Sequence, residues 1–419
     1  MGERIVITGA GIVSAIGTGK AETLQSLLEE RTGIGPLRYL HTDNRDFLAG
    51  EVKLSDEQMK QRLGITDEPT TRTSLIGMMA LEEALEEAGL WCNNGSPSTK
   101  GRQSGQALRI AFISGTTVGG MDKSEQFYLD FLTDDSHNDY IRTHDCGSTT
   151  ELIASHFRFA ADDTSGHRNL FSMMATPSTA CSSAANAFIM GANMLRSGMT
   201  DIAVVGGAEC ISRFHLNGFN SLMILDHEQC KPFDAHRAGL NLGEGAAYIV
   251  LETADHARCR GVQPLACLCG YGNACDAFHQ TASSDDGNGA FLAMQKALHM
   301  AAMQPSDIDY VNAHGTATPD NDLSESHALM RLFGDALPAV SSTKGLTGHT
   351  TSASGSVEAV ICLLALRHAF IPGNFGFSSP MSDGITPVKH VATGHRLRHV
   401  MCNSFGFGGN DTSLILGNL

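Results

Sequence analysis

The chain has 419 residues, enough for a large folded core, and its 29 Lys and Arg against 45 Asp and Glu leave a formal net charge of −16. That balance argues against a nucleic-acid binder, which needs a basic footprint. With 42 % hydrophobic and 18 % charged residues, the composition also excludes a disordered, charge-solvated segment.

The chain opens Met-Gly-Glu-Arg-Ile-Val-Ile-Thr-Gly and runs at once into a strand pattern, without the apolar stretch of a secretory leader. Short, continuously apolar runs predict strands at residues 4–8, 110–114, 202–205, 247–251, 265–270, 310–312, 339–342 and 412–416. Helical periodicity lies between several of them, at 75–88, 183–196, 291–302 and 356–368, and the alternation predicts a layered α/β fold. The longest apolar run, residues 359–366, is far below the roughly 20 residues of a membrane span. Eleven cysteines spread over a long chain do not make a disulfide scaffold, so a reduced, cytoplasmic setting is expected.

Gly9 and Gly11 follow the first strand as in a dinucleotide loop, but Ser14 replaces the third glycine, which excludes that reading. Residues 176–197 place Cys181 ahead of a helix of small side chains. Residues 343–368 repeat the design, with Lys344, Gly345, Gly348 and His349 ahead of Thr-Thr-Ser-Ala-Ser-Gly-Ser. Both helices are expected to be central and buried, with their N-termini aimed at one point, and their places in the two halves suggest a diverged duplication. The charged stretch 253–260 is the candidate crossover, expected to be exposed, and 276–289 reads as a long functional loop.

Cys181 is the candidate nucleophile, since a helix N-terminus lowers a thiol pKa from about 8.5. A buried small hydrophobe is the plain alternative. His314, in Asn-Ala-His-Gly-Thr-Ala-Thr-Pro, follows the strand 310–312, and His349 heads the second small-residue helix. Either imidazole alone is more often structural than catalytic, but together with Cys181 they form a chemical set. Cys267 and Cys269 share a strand face without a second ligand pair. His395 and His399 flank Arg396 where a zinc protease has its Glu, so no metal site is expected. Residues 403–409, Asn-Ser-Phe-Gly-Phe-Gly-Gly, read as flexible backbone able to donate an amide to an oxyanion.

Taken together, residues 6–17, 179–186, 243–252, 312–319, 342–355 and 403–409 make the chain similar to elongating β-ketoacyl-[acyl carrier protein] synthases of the thiolase-like superfamily. The resemblance implies a five-layered α-β-α-β-α sandwich of two similar halves, 1–255 and 256–419. It implies a Cys181, His314, His349 triad with Lys344 and Glu358, and an oxyanion hole from the amides of Cys181 and Phe407, with Phe407 also gating the acyl pocket. Thr316 and Thr318 match threonines that hold pantetheine, Asp276 and His279 a loop facing the gate, and Val118 a position lining the acyl pocket. No cofactor is implied beyond the phosphopantetheine of an acyl carrier protein. The expected partners are that carrier and a second copy of the chain, or a chain-length-factor-like subunit. Carriers are acidic, so Lys60, Arg62 and Arg72 are the candidate docking patch.

The chain departs from the family at Asn410-Asp411, at Thr350 to Gly355 and at Arg237-Ala238-Gly239. These departures set a specialised type II polyketide or polyene synthase beside fatty-acid elongation. A non-catalytic chain-length factor lacks the nucleophile present here. A thiolase needs a C-terminal Cys-x-Gly, whereas Cys402 precedes Asn-Ser-Phe. A Cys–His hydrolase has no water-activating arrangement apparent in the sequence.

Overall fold

In the computed structural model, which describes residues 3–66, 68–92, 96–97, 108–160 and 167–419, ten of the eleven strands of the main sheet fall into two sets of five. The first set is β1 (Ile5–Ser14), β2 (Ile110–Gly115), β3 (Met173–Ala175), β4 (Ile202–Glu209) and β5 (Gly245–Thr253). The second is β6 (Ala266–Cys275), β7 (Tyr310–Asn312), β8 (Ala339–Ser341), β9 (His399–Gly406) and β10 (Asn410–Gly417). Their spatial order, β3-β2-β4-β5-β1-β6-β10-β9-β7-β8, is the same 3-2-4-5-1 sequence read inward from each edge. In both sets the outer pairings are parallel and the inner two antiparallel. The sets join antiparallel through Ile5–Leu268, Val6–Cys267 and Ile7–Ala266. The duplication suggested by the two small-residue helices is therefore carried by the whole topology.

Each set brings three helices at equivalent points of the chain: α1 (Arg72–Glu87), α2 (Cys146–His156) and α3 (Ser183–Arg196), then α4 (Asn288–Ala301), α5 (Pro319–Phe333) and α6 (Ser354–His368). Strand side chains alternate between two cores. In β5, Ala247, Ile249 and Leu251 face a central core that also holds α3 and α6, while Ala246, Tyr248 and Val250 face an outer core with α1. In the second set Val400, Leu414 and Leu416 face the central core, and Met401 and Ile415 the outer core with α4 and α5. Strands buried on both faces explain the continuous apolar runs. The five layers expected from the resemblance are those observed. Among the described residues no helix is long and apolar enough to cross a membrane.

The glycines after the first strand serve packing. A Cβ on Gly9 or Gly11 would lie 2.3 or 2.1 Å from the carbonyl oxygen of Ala84 or Ala80 in α1. Gly270 and Gly272 repeat the arrangement against Ala297 and Ala293 of α4, each just after a β-bulge in its strand. Between the central helices, a Cβ on Gly355 would lie 2.8 Å from the backbone nitrogen of Ala185.

Two local expectations are corrected. The crossover joins β5 to β6 as a helix, Ala254–Arg260, with Ala257 and Arg260 buried. Glu252, at the end of β5, pairs with the Arg260 guanidinium and so draws that charge inward. Residues 403–406 are buried strand within β9, and only Phe407–Gly409 form the turn into β10.

Candidate active site

Cys181 is 5 % exposed, two residues ahead of α3, whose N-cap is Ser182. Ala180 before it has φ +51°, a conformation that costs a side chain on the order of 1 to 3 kcal/mol and needs outside support. Ser183 supplies that support, donating from Oγ to the Ala180 carbonyl at 2.6 Å and accepting the Thr179 N–H at 2.8 Å. The small Ser-Ser-Ala-Ala start of the helix lets it sit against α6 without side chains between them.

His349 is held on both sides of its backbone: its N–H donates to Asn241 at 2.7 Å and its carbonyl accepts from Gly243 at 2.9 Å. Its Nε2 lies 3.1 Å from Cys181 Sγ, and its Nδ1 lies 3.0 Å from Ser354 Oγ at the start of α6. His314 leaves the end of β7, and Glu325 of α5 accepts its N–H at 2.9 Å and that of Gly315 at 2.8 Å. The two imidazoles meet edge to face with centroids 5.3 Å apart. The sulfur and one nitrogen of each ring all lie within 4.8 Å of one another. Three residues from distant parts of the chain thus converge in one buried place.

Lys344 stands behind them. Its ammonium donates to the His314 carbonyl at 2.5 Å, faces His314 Nδ1 at 3.4 Å and pairs with Glu358 of α6. Burial pushes the Glu358 carboxyl up to about 7 against the pull of Lys344. Burial and the Lys344 charge hold both imidazoles well below the ordinary histidine range, so both rings are neutral at pH 7. Cys181 differs from the helix-terminus expectation. Burial pushes its thiol up to about 11, and Lys344 and the main-chain amides of Phe407 and Cys181 only partly offset it. Desolvation outweighs the helix end because the sulfur has almost no contact with water.

These groups open into a cavity of about 290 Å³. Cys181, His314, His349, Thr316, Thr318, Asp276 and Phe407 are in its wall, and the two threonine hydroxyls lie 2.9 Å apart. Val118 and His279 are not. Val118 is buried with its N–H on Glu209, and His279 is exposed. Phe407 stacks on Phe219 at 5.8 Å. Its turn is clasped to the 276–287 loop by Gly408 N–H on the Gln280 carbonyl at 2.7 Å and Asp276 N–H on the Gly409 carbonyl at 2.8 Å. A larger hollow of about 490 Å³ lies beside Arg72 and Glu244, without any of the triad in its wall.

The sequence reading missed two buried carboxylates, Glu325 and Glu209, and named Asp411 only as a departure from the family beside the gate. Glu325 positions His314. Glu209 accepts from Thr116, Thr117, Val118 and Ser352, tying the 116–118 turn to the start of the His349 helix. Asp411 lines the cavity, its carboxyl pushed up to about 8 by burial, with Asp276 and Glu325 adding to the effect. The signal of the two glutamates is topological: Glu209 meets its partners about 90 and 143 positions away, and Glu325 meets His314 only because its helix folds back on the end of β7. Arg72 is also corrected: it is buried, with its guanidinium on Glu244 and Asp56, and cannot belong to a docking patch.

Residues 2–257 match the family model described as "Beta-ketoacyl synthase, N-terminal domain" and residues 265–378 that described as "Beta-ketoacyl synthase, C-terminal domain". Over 427 residues the chain is 33 % identical to 3-oxoacyl-[acyl-carrier-protein] synthase 2 of Vibrio cholerae serotype O1, covering 98 % of each chain. It is 32 % identical to nodulation protein E of Rhizobium meliloti strain 1021, covering 99 % of each. The solved structure of the ishigamide ketosynthase/chain length factor superposes over 100 % of both chains, with TM-score 0.87 and 29 % identity. With both family domains matched and full-length relatives above 30 % identity, the chain belongs to the β-ketoacyl synthase family of condensing acyltransferases.

Proposed function

We propose that the chain condenses an acyl group held on Cys181 with a malonyl group delivered by an acyl carrier protein, with the roles divided among the residues as follows. In the first half-reaction the Cys181 sulfur attacks the acyl thioester of the carrier's pantetheine. His349 Nε2 takes the thiol proton and returns it to the departing pantetheine thiolate, leaving an acyl-cysteine. The amides of Cys181 and Phe407, both directed at the sulfur, hold the developing oxyanion. A thiol that is neutral at rest suits this order, because the proton leaves only when the acyl group arrives.

In the second half-reaction the malonyl carboxylate leaves as carbon dioxide, and its bonding electrons form a thioester enolate. That enolate attacks the acyl-cysteine carbonyl and expels the Cys181 thiolate, which regains a proton from solvent. Neutral His314 and His349 donate N–H to the enolate oxygen. Lys344 against Nδ1 leaves the His314 proton on Nε2, and the Ser354 hydroxyl, able to donate or accept, supports either tautomer of His349. Thr316 and Thr318 hold the pantetheine chain, and Phe407, moving with the 276–287 loop, admits the acyl group. The 1–255 half carries the nucleophile and 256–419 the histidines. No further cofactor is assigned to the reaction.

A second copy of the chain is the proposed partner. The reading is supported by the open edge at β3, where Met173 and Met174 are exposed, and by the exposed Tyr128, Leu129, Leu132 and Ile141. The chain length factor named with the ishigamide ketosynthase, and the departures at 350–355 and 410–411, favour a specialised polyketide or polyene pathway as the second reading.

The single observation that carries the proposal is the 3.1 Å contact between His349 Nε2 and Cys181 Sγ with the His314 ring beside it. Its test is Cys181→Gln, which is expected to lose condensation while still releasing carbon dioxide from malonyl carrier. A folded variant without decarboxylation would remove the histidines from the proposed role.

A further inference from the structure

We propose that the mouth of the Cys181 cavity is an apolar docking surface for the acyl carrier protein, centred on Leu222, Met223 and Phe278 and working without ion pairs. The inference rests on the carrier-dependent reaction proposed above and adds how the carrier is held.

A substrate tethered to a protein reaches a buried sulfur only if that protein sits over the opening. The exposed side chains around the opening are then its contacts. Met223 is 87 %, Phe278 59 % and Leu222 41 % exposed, although side chains of this size are ordinarily withdrawn from water. Leu222 and Met223 follow the helix Arg213–Ser221, whose Phe219 stacks on the gate Phe407. Phe278 stands on the 276–287 loop, between Asp276 and Thr281, both in the cavity wall. The apolar contacts are thus set on both elements that adjoin the gate.

The charges of the same opening have the wrong sign for an acidic partner. Its wall holds Asp276 and Asp320, with the Asp411 carboxyl protonated near neutrality, and, among the described residues, no Lys or Arg. The adjacent Arg237 is committed to the main-chain carbonyls of Asp234, Thr318 and Pro319. The wall of the opening itself therefore offers no cation to an acidic carrier. An interface core of Met, Leu and Phe does not need one. The fitting partner surface is a neutral, apolar patch beside the prosthetic-group attachment point.

The test compares two acyl donors on the whole enzyme: acyl carrier protein, and the same acyl group on N-acetylcysteamine, which needs no docking. Met223→Asp and Phe278→Asp, each at an exposed position, are expected to lower kcat/KM for the carrier-bound donor about tenfold or more beyond any loss seen with the small thioester. Raising salt from about 50 to 500 mM is expected to change wild-type kcat/KM with the carrier less than about twofold. Unchanged carrier kinetics in both variants, or equal losses with both donors, would overturn the docking assignment. So would a steep salt dependence abolished by Lys60→Glu with Arg62→Glu. A wild-type enzyme inert toward both donors would instead strike at the proposed condensation itself.

Discussion

Lys344 engages two acceptors of His314 at once, the main-chain carbonyl at 2.5 Å and ring Nδ1 at 3.4 Å, while its third contact is the buried carboxylate of Glu358. One cation thereby fixes where the His314 ring sits, which nitrogen holds its proton and how difficult it is to protonate.

Replacing that cation with an uncharged side chain of similar length separates these effects. Lys344→Met is expected to lower decarboxylation of malonyl carrier by a factor of roughly 100. His314 is depressed first by burial and then by Lys344 and His349. Losing the charge lets imidazolium form more readily, so the acid limb of the pH–rate profile moves to higher pH. A purely structural role would lower the rate without moving that limb.

The Cys181 thiol is expected to be neutral until substrate arrives. Burial pushes it up to about 11. Between pH 7 and 10, iodoacetamide labelling of Cys181 in the resting enzyme should rise about tenfold per pH unit. Peptide mass spectrometry at several pH values reads it. A level rate at Cys181 would mean that a thiolate already exists before substrate binds.

Asp411 marks a stability cost carried at the cavity wall. Its folded-state pKa of about 8, raised by burial and by the facing carboxylates of Asp276 and Glu325, lies above the ordinary aspartate value. Native structure therefore holds this proton more tightly than the unfolded chain does. The associated stability is complete below about pH 4 and is lost as pH rises through about 8. Asp411→Asn is expected to gain on the order of 1 to 3 kcal/mol at pH 8.5 and almost nothing at pH 4. Denaturant titrations at the two pH values check it, and a variant destabilised equally at both would remove the acid from this account.

Most of the layered fold is legible in the sequence because β2, β4, β5 and β10 are buried on both faces, where continuous apolar runs are required. The two central helices are legible for the same kind of reason: close backbone approach demands small side chains, and Ser183–Ala185 and Ser354–Ser356 supply them. The convergence of Cys181, His314 and His349 is foreseeable from their motifs. The pKa of Cys181 is not, because a helix terminus is a local feature and desolvation depends on everything packed around it. Glu209 stays hidden for a related reason, since its partners Thr116 to Val118 and Ser352 are remote in the chain, and Glu325 because nothing in the sequence shows that its helix turns it back onto the His314 backbone. Arg72 looks like a surface cation until Glu244, 172 positions away, draws it into the core.

The central claim is that Cys181 carries the acyl chain between two carriers. Purified enzyme mixed with acyl carrier protein, quenched and digested, should show the acyl mass on the peptide containing Cys181. Malonyl carrier should then discharge it with release of carbon dioxide and a ketoacyl carrier of matching length. An acyl adduct on any other residue, or one on Cys181 that malonyl carrier leaves untouched, would contradict the account.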